Sequence, residues 1–267
     1  LLERRQRQAR EADLAARRAE AARQITDHVT REAELRRRVA PGLGEVLDLA
    51  DGTTEGLWPR TVESADALLL RVGTADQPAE IQLDGEAWPL LPEPIVPDAP
   101  VTIDLRTAGV LSLVGAPAPT AAMARWLLLQ LATLRSPEDL QLVLITADDG
   151  AAWEWVRWLP HLTGGDDGEP LRVGTTADTR LRRAAELREL VEQRRRLRDG
   201  TASGGVASGG VAFADVVVVL IGALTLRELS GMKEVLRDGP GVGVYTLCTD
   251  VGSLHEATSA SGQVVAD

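Results

Sequence analysis

The sequence predicts an α/β fold, a parallel sheet with helices on both faces, preceded by a long helix and a small β-rich segment. Three observations carry this expectation. From Val101 onward short apolar runs alternate with helix-patterned stretches, an order that needs crossover connections and hence parallel strands. Asp215–Ile221 is, after its first residue, nothing but Val, Leu and Ile, as a central strand covered on both faces requires. Before Pro41 there is no Gly or Pro, and Ala, Arg, Glu and Leu dominate, the composition of one long helix.

Taken in order, residues 1–39 read as that helix, with a thin apolar stripe of Ala21, Ile25, Val29 and Ala33. So narrow a stripe must lie against a partner surface or leave the helix projecting as a stalk. Short strands are expected at Leu68–Val72, Glu80–Leu83 and Val101–Leu105, between Gly, Pro and Asp turns, and the prolines of Pro89–Pro100 mark a linker. Then come a strand at Val110–Val114, a helix at Thr120–Leu134, a strand at Leu140–Thr146 and a Trp-rich helical piece at Ala151–Leu159. A short strand at Leu171–Val173 and an Arg/Glu helix at Asp178–Arg198 follow. Gly200–Gly210 is a low-complexity loop, after which come the strand Asp215–Ile221, a helix at Leu224–Arg237 and a strand at Gly243–Thr249. The organisation is a helical stalk over 1–40, a β-rich connecting segment over 41–100 and an α/β domain over 101–267.

Charge and composition narrow the function. The net charge is −11, which argues against a nucleic-acid partner. Residues 1–40 nevertheless hold eleven Arg against seven acidic residues, so the remainder is strongly acidic. With six Trp, one Tyr and one Phe, the core must be built from aliphatic side chains. Cys248 alone permits no disulfide framework, which fits a reducing compartment, and His28, His161 and His255 show no metal-ligand spacing. No apolar run reaches the roughly 18–20 residues of a membrane span. The chain starts at Leu1, which suggests a piece of a longer protein with spans upstream.

The region around Gly115 carries the most informative pattern. In P-loop ATPases a strand runs into G-x-x-x-x-G-K-[ST] and a helix; backbone amides and the helix N-terminus hold phosphate, Lys bridges the β/γ oxygens, and the hydroxyl ligates Mg²⁺. Here the strand Val110–Val114 leads into Gly115-Ala116-Pro117-Ala118-Pro119-Thr120-Ala121-Ala122 and a helix. Thr120 stands at the second Gly position, Ala121 at that of Lys, Ala122 at that of the Mg²⁺ ligand, and Pro117 and Pro119 remove two amide donors. The strand that would carry the metal-holding carboxylates ends in Ile221-Gly222. Gly115, Thr120, Ala121, Ala122, Ile221 and Gly222 are therefore a degenerate nucleotide site with no catalytic or metal residue, and no cofactor is expected beyond weak ATP and Mg²⁺. An ordinary Rossmann-like domain would account for the same strands.

Several segments resemble the EccC-type secretion ATPases of the FtsK/SpoIIIE kind. Leu57-Trp58-Pro59-Arg60 with Leu68–Thr74 is similar to their LWxR…FLxLRVGxG block, with Ala75 in place of the second Gly. Val101–Leu105 followed by Val114-Gly115 looks like their VxVDLR…xxIVG entry. Ser136–Leu140 with Trp153–His161 resembles their HSPxDL…WxWVKWLPH signature, the most specific of the matches. The resemblance implies a RecA-like fold and a place as the stalk plus the first ATPase-like domain (the former DUF domain) of a type VII (ESX) secretion translocase. It further implies upstream transmembrane helices, a position at the cytoplasmic face of the bacterial plasma membrane and hexameric assembly. The implied partners are the EccB, EccE and ubiquitin-like EccD types and downstream ATPase domains. The function expected is coupling of the membrane pore to those motors; the alternatives are a weakly active ATPase with an atypical site and a helical-stalk signalling scaffold.

Other candidates have plainer readings. Trp153, Trp155 and Trp158 are spaced so that they cannot all face one way on a helix; one or two should fill the core. His161 reads as a hydrogen-bonding residue. Arg180, Arg182, Arg183, Arg188, Arg194, Arg195, Arg196 and Arg198 sit among Glu186, Glu189 and Glu192, as on a solvated face. Asp148, Asp149 and Asp215 lie near strand ends, where a relocated Mg²⁺ site would need them.

Overall fold

The computed structural model describes residues 2–52, 56–81, 93–163, 171–203, 213–250 and 262–266. By contacts the chain divides into two compact units, Leu1–Gly42 with Gly73–Thr102, and Leu43–Val72 with Ile103–Asp267.

The first unit holds helix α1 (Leu2–Val39), roughly 57 Å long at 1.5 Å per residue. It also holds most of a two-stranded ribbon, β1 (Leu69–Pro78) and β2 (Ile95–Asp104). The predicted stripe faces inward: Ala33 is buried with Val96 and Ala99, and Val29 packs against them. Polar contacts complete the seam. The Glu32 carboxylate accepts the Glu80 N–H at 3.0 Å, and Arg36 donates to Gln77 Oε1 at 3.2 Å. From Arg4 to Arg17 every side chain of α1 is exposed, as its polar composition demands. Two expectations fail in this unit. Pro97 and Pro100, read as linker, lie inside β2, because an edge strand tolerates residues that donate nothing to a ladder. Glu80 and Ile81 are not in a strand, and the rest of that predicted strand (82–83) lies outside the described residues, as does most of the low-complexity loop.

The second unit is the predicted α/β domain. Its strands are β3 (Val110–Gly115), β4 (Leu140–Thr146), β5 (Val173–Gly174), β6 (Asp215–Ile221), β7 (Val244–Asp250) and β8 (Gly262–Ala266). They form one parallel sheet in the order β5-β4-β6-β7-β3-β8. Strict alternation splits the two faces. Val217 and Val219 of β6, in register with Leu142 and Leu144 of β4 and with Tyr245 and Leu247 of β7, face helix α4 (Pro117–Leu134) through Leu127, Leu128 and Leu131. Val216, Val218 and Leu220 face α5 (Ala177–Ser203), α6 (Ala223–Leu226) and α7 (Met232–Asp238). The predicted helix Leu224–Arg237 is thus two helices, broken where Gly231 takes φ 88°. Ala151–Trp158 winds as a 3₁₀ helix. The remaining short helices are α2 (Leu43–Ala50), which packs on α4 through the buried Val46, and α3 (Leu105–Ala108). Residues 43–72, read from sequence as part of a connecting segment, belong with this unit because Leu68 and Leu70 are buried in the α4-side core.

Three of the sequence signatures meet at the edge of the sheet where β4 and β6 begin. Trp58 and Arg60 donate backbone N–H groups to the Thr133 and Leu134 carbonyls at 3.1 and 3.0 Å, and Trp58 Nε1 donates to the Ala132 carbonyl at 3.0 Å. They satisfy acceptors that a helix end leaves open. Holding these bonds places Trp58 at φ 62°, a strained conformation for a bulky residue. Beyond the helix, Arg135 is wholly buried. It donates to the Asp215 carboxylate at 3.1 Å and to the Asp139 carbonyl at 2.8 Å. Arg106 reaches the same Asp215 oxygen at 2.9 Å and the Val62 carbonyl at 2.6 Å. His161 Nε2 donates to the Arg135 carbonyl at 2.8 Å. The Ser-Pro-Glu-Asp-Leu and Leu-Pro-His signatures are therefore structural: they seat one buried carboxylate and its guanidinium partners.

Replacing Asp215 by Ala leaves Arg135 buried without a counter-charge. Urea denaturation should show a loss of about 3–5 kcal/mol. A second outcome concerns pH. Burial holds the His161 imidazole below its usual pKa, with the Arg135 charge adding to the effect. The folded ring stays neutral while the unfolded ring takes a proton below about pH 6.5. Stability should therefore fall as pH drops below about 6.5 toward the folded value, and His161→Gln should flatten that slope in urea midpoints measured from pH 7.5 to 5.5.

Candidate functional site

Parallel strands place all their C-terminal ends on one edge, where open α/β sheets bind ligands. Here that edge gathers Gly115 of β3, Thr146 of β4, Ile221 of β6 and Asp250 of β7. A cleft of 460 Å³ opens there between the first turns of α4, the turn after β4 and the ends of β6 and β7. Thr120, Ala121, Ile221 and Gly222, four of the six positions expected from sequence, line it. Gly115 leads into the helix with φ 152°, and Ala122 points outward, exposed.

The backbone of the cradle is short of donors. Pro117 opens α4 and, with Pro119, brings no N–H to the first turn, while the Thr120 N–H is already bonded to the Ala116 carbonyl at 3.1 Å. The N-cap residue is Ala116, whose side chain caps nothing. Across the cleft the strand ends are laced tightly. Ala147 donates its N–H to the Ile221 carbonyl at 2.8 Å, and Gly222 donates to the Thr249 carbonyl at 3.0 Å. Gly222 has φ 81°, and a Cβ there would lie 2.7 Å from the Ala147 methyl. The site's missing carboxylate thus has a steric counterpart: this position has no room for one.

Of the acidic candidates, Asp148 lines the cleft, but its carboxylate accepts the Gly150 N–H at 3.0 Å. Asp149 accepts the Ala151 N–H at 3.1 Å. Both close the turn after β4. Asp215 stands at the first residue of β6, the opposite edge, so the three do not converge on one metal site. Among the described residues no group of three or more His, Cys, Asp or Glu could hold a metal ion. The one lining guanidinium is Arg125, whose Cζ lies 5.2 Å from the centroid of the Trp153 ring. Thr120, only 4 % exposed, lines the cleft with a hydroxyl that has no hydrogen-bond partner.

The tryptophans divide as their spacing requires: Trp153 is core, Trp155 half-buried and Trp158 83 % exposed. The α5 arginines are not uniformly a solvated face. Arg194 is buried and donates to the Val242 and Ala214 carbonyls, and Arg183 is buried too. Arg195 and Arg196 pair with Asp238 and Glu192. Sequence reasoning missed the Arg106–Asp215–Arg135 cluster. The signal available was an Asp opening an otherwise apolar strand, a charge that burial obliges to find a partner.

No family model matches the chain. Among curated proteins it is 30 % identical over 122 residues to the ESX-4 secretion system protein EccC4 of Mycobacterium tuberculosis, a match covering 39 % of this chain and 10 % of that protein. It is 33 % identical over 122 residues to the ESX secretion system protein EccC of Geobacillus thermodenitrificans, covering 39 % and 8 %. The chain is a relative of the EccC-type secretion proteins. It spans about a tenth of the length of the EccC proteins it matches. The cytoplasmic domain of the type VII secretion ATPase EccC from Thermomonospora curvata shares the fold at TM-score 0.53 and 22 % identity, over 80 % of this chain and 26 % of that one. EssC (ATPases 2 and 3) from Geobacillus thermodenitrificans does so at TM-score 0.51 and 16 % identity, over 74 % and 36 %. The P-loop-like sheet expected from sequence is therefore the EccC fold. Among the described residues no helix is long and apolar enough to cross a membrane.

Gly222→Asp, which would return a carboxylate to the end of β6, should destabilise the protein by about 1–3 kcal/mol, because it pairs a strained φ with a methyl contact that cannot yield. A midpoint unchanged in urea denaturation would contradict the steric account.

Proposed function

We propose that this chain is a membrane-proximal, ATPase-like domain of a type VII secretion translocase in which the nucleotide site has lost its chemistry. It works at the cytoplasmic face of the membrane. It passes the state of the pore to motor domains further along the same protein, within a hexamer that also meets the EccB, EccD and EccE types of subunit. One observation carries the silent-site reading. The cleft keeps the place of a phosphate cradle, yet Ala121 replaces the cation, two prolines remove amide donors, and Gly222 leaves no space for an acid. A triphosphate brought there would give up the hydration of several charges against the single guanidinium of Arg125, too few of the charge-assisted bonds that are the strong ones. The arginine excess of residues 1–40 agrees with a position just inside a membrane.

A weakly active site would have to work through Asp148, the carboxylate that lines the cleft. Steady ATP hydrolysis by the purified chain, lost in Asp148→Asn, would favour that second reading.

Titration with fluorescent ATP and Mg²⁺ should give no saturable binding below about 1 mM, a free energy no better than about −4 kcal/mol. Micromolar affinity abolished by substitution of Gly115 would refute the silent-site reading.

A further inference from the structure

The cleft at the start of α4 has features that a vestigial phosphate site does not need. Its walls are mostly apolar: Pro117, Ala121, Ala152, Trp153 and Ile221. Set into them are two buried hydroxyls. That of Thr120 is without any hydrogen-bond partner, and that of Thr249 accepts the Gly222 N–H at a long 3.4 Å. Leaving a buried hydroxyl unpaired is costly, and the cost is recovered if a ligand supplies the partner. An exposed cation on the same helix as Thr120, Arg125, is held over the ring of Trp153, which belongs to the 3₁₀ helix across the cleft. The helix itself is 18 residues long and directs its positive end toward the cleft. One guanidinium and a helix dipole, partly offset by the Asp148 carboxylate that also lines the cleft and accepts the Gly150 N–H, balance at most about one negative charge, far short of a triphosphate.

We propose that this cleft binds a ligand carrying a single carboxylate on an apolar body, the carboxylate meeting Arg125 and the Thr120 hydroxyl and the apolar part lying on Trp153, Ala152 and Ile221. The inference rests on the reading of the cleft as closed to polyphosphate. Such a carboxylate has two sources, a small organic acid and an acidic side chain flanked by apolar residues. The two share the chemistry and are separated by the test.

The test uses the whole 267-residue chain with ¹³C-labelled alanine methyls, since Ala121, Ala147 and Ala152 line the cleft. The probes are 4-methylpentanoate, its uncharged amide, the peptide N-acetyl-Leu-Glu-Leu-amide, and ATP with Mg²⁺. The acid should shift these three methyls saturably, and the amide should bind about tenfold more weakly. Arg125→Gln, at an exposed position, should weaken the acid about tenfold. The isosteric Thr120→Val should weaken it too while the methyl spectrum stays folded. The peptide binding at least as tightly as the free acid assigns the carboxylate to a protein segment, and the free acid binding alone assigns it to a small molecule; both support the site. Equal affinity for acid and amide, or no saturation by either, overturns the inference and leaves the silent-site reading untouched. Saturable shifts by ATP with Mg²⁺ at these methyls overturn that reading, and this inference with it.

Discussion

Everything at the nucleotide-type edge of the α/β unit depends on one buried carboxylate at the other. Asp215 opens β6 and receives Arg135 and Arg106 on a single oxygen. Arg135 is the residue after α4, so the ion pair fixes the C-terminal end of that helix against the sheet. The backbone and indole bonds from Trp58 and Arg60 hold the same end from outside. A helix of 18 residues is about 27 Å long and stiff. Pinning one end therefore sets where the other stands, and the other end is the rim of the cleft. The position of the first turn of α4 at the cleft follows from this anchor and from core packing.

The two edges divide the charge of the unit unevenly. At the edge where β4 and β6 begin, the guanidiniums of Arg60, Arg106 and Arg135 each meet a carboxylate or a backbone carbonyl within hydrogen-bond reach. Burial and the nearby Asp215 charge also raise the Tyr245 phenol above its ordinary range. At the opposite edge the strand ends are joined by backbone bonds between Ala147, Ile221, Gly222 and Thr249, and the side chains there are small. Rigid polar chemistry supports the fold on one side. The other side keeps an apolar hollow, which is where a pocket can be redirected to a new ligand without loss of core.

How much of this was legible depended on whether the determining contact was local. The strands β3, β4 and β6 were readable because full burial on both faces leaves only aliphatic residues. That Thr120 and Ala121 would stand at the start of a helix beside the strand ends was readable because strand, loop and helix are contiguous in the chain. Three features were not. The break between α6 and α7 lies at Gly231, where an isolated Gly in a helical pattern gives no certain stop. The 3₁₀ winding of Ala151–Trp158 has no separate sequence signal, since three- and four-residue spacings overlap over eight residues. Asp215 was seen as a strand-end acid, but which end mattered, and its partners lie 80 and 109 positions away. Distant charge pairing leaves no periodicity.

The proposed silence of the site would be a property of its backbone more than of its side chains. A site that had lost only Lys, Ser and an acid would differ from an active one by three side chains on an unchanged frame. Here the frame itself differs. Pro117 and Pro119 carry no amide hydrogen, and the Thr120 N–H is taken up by the regular helix bond to the Ala116 carbonyl. At the end of β6, Gly222 occupies a left-handed conformation pressed against Ala147, a spot that admits no Cβ. Each change is locked by an element that the core requires, α4 by Leu127 and Leu131 and β6 by its neighbours on both sides. Reinstating a cation at Ala121 would thus put charge beside a cradle that still lacks donors, in an apolar cleft where an unpaired charge is destabilising. The fold tolerates such residues because its stability comes from the aliphatic sheet, whereas phosphate chemistry at this edge would depend on a few amides and one open corner.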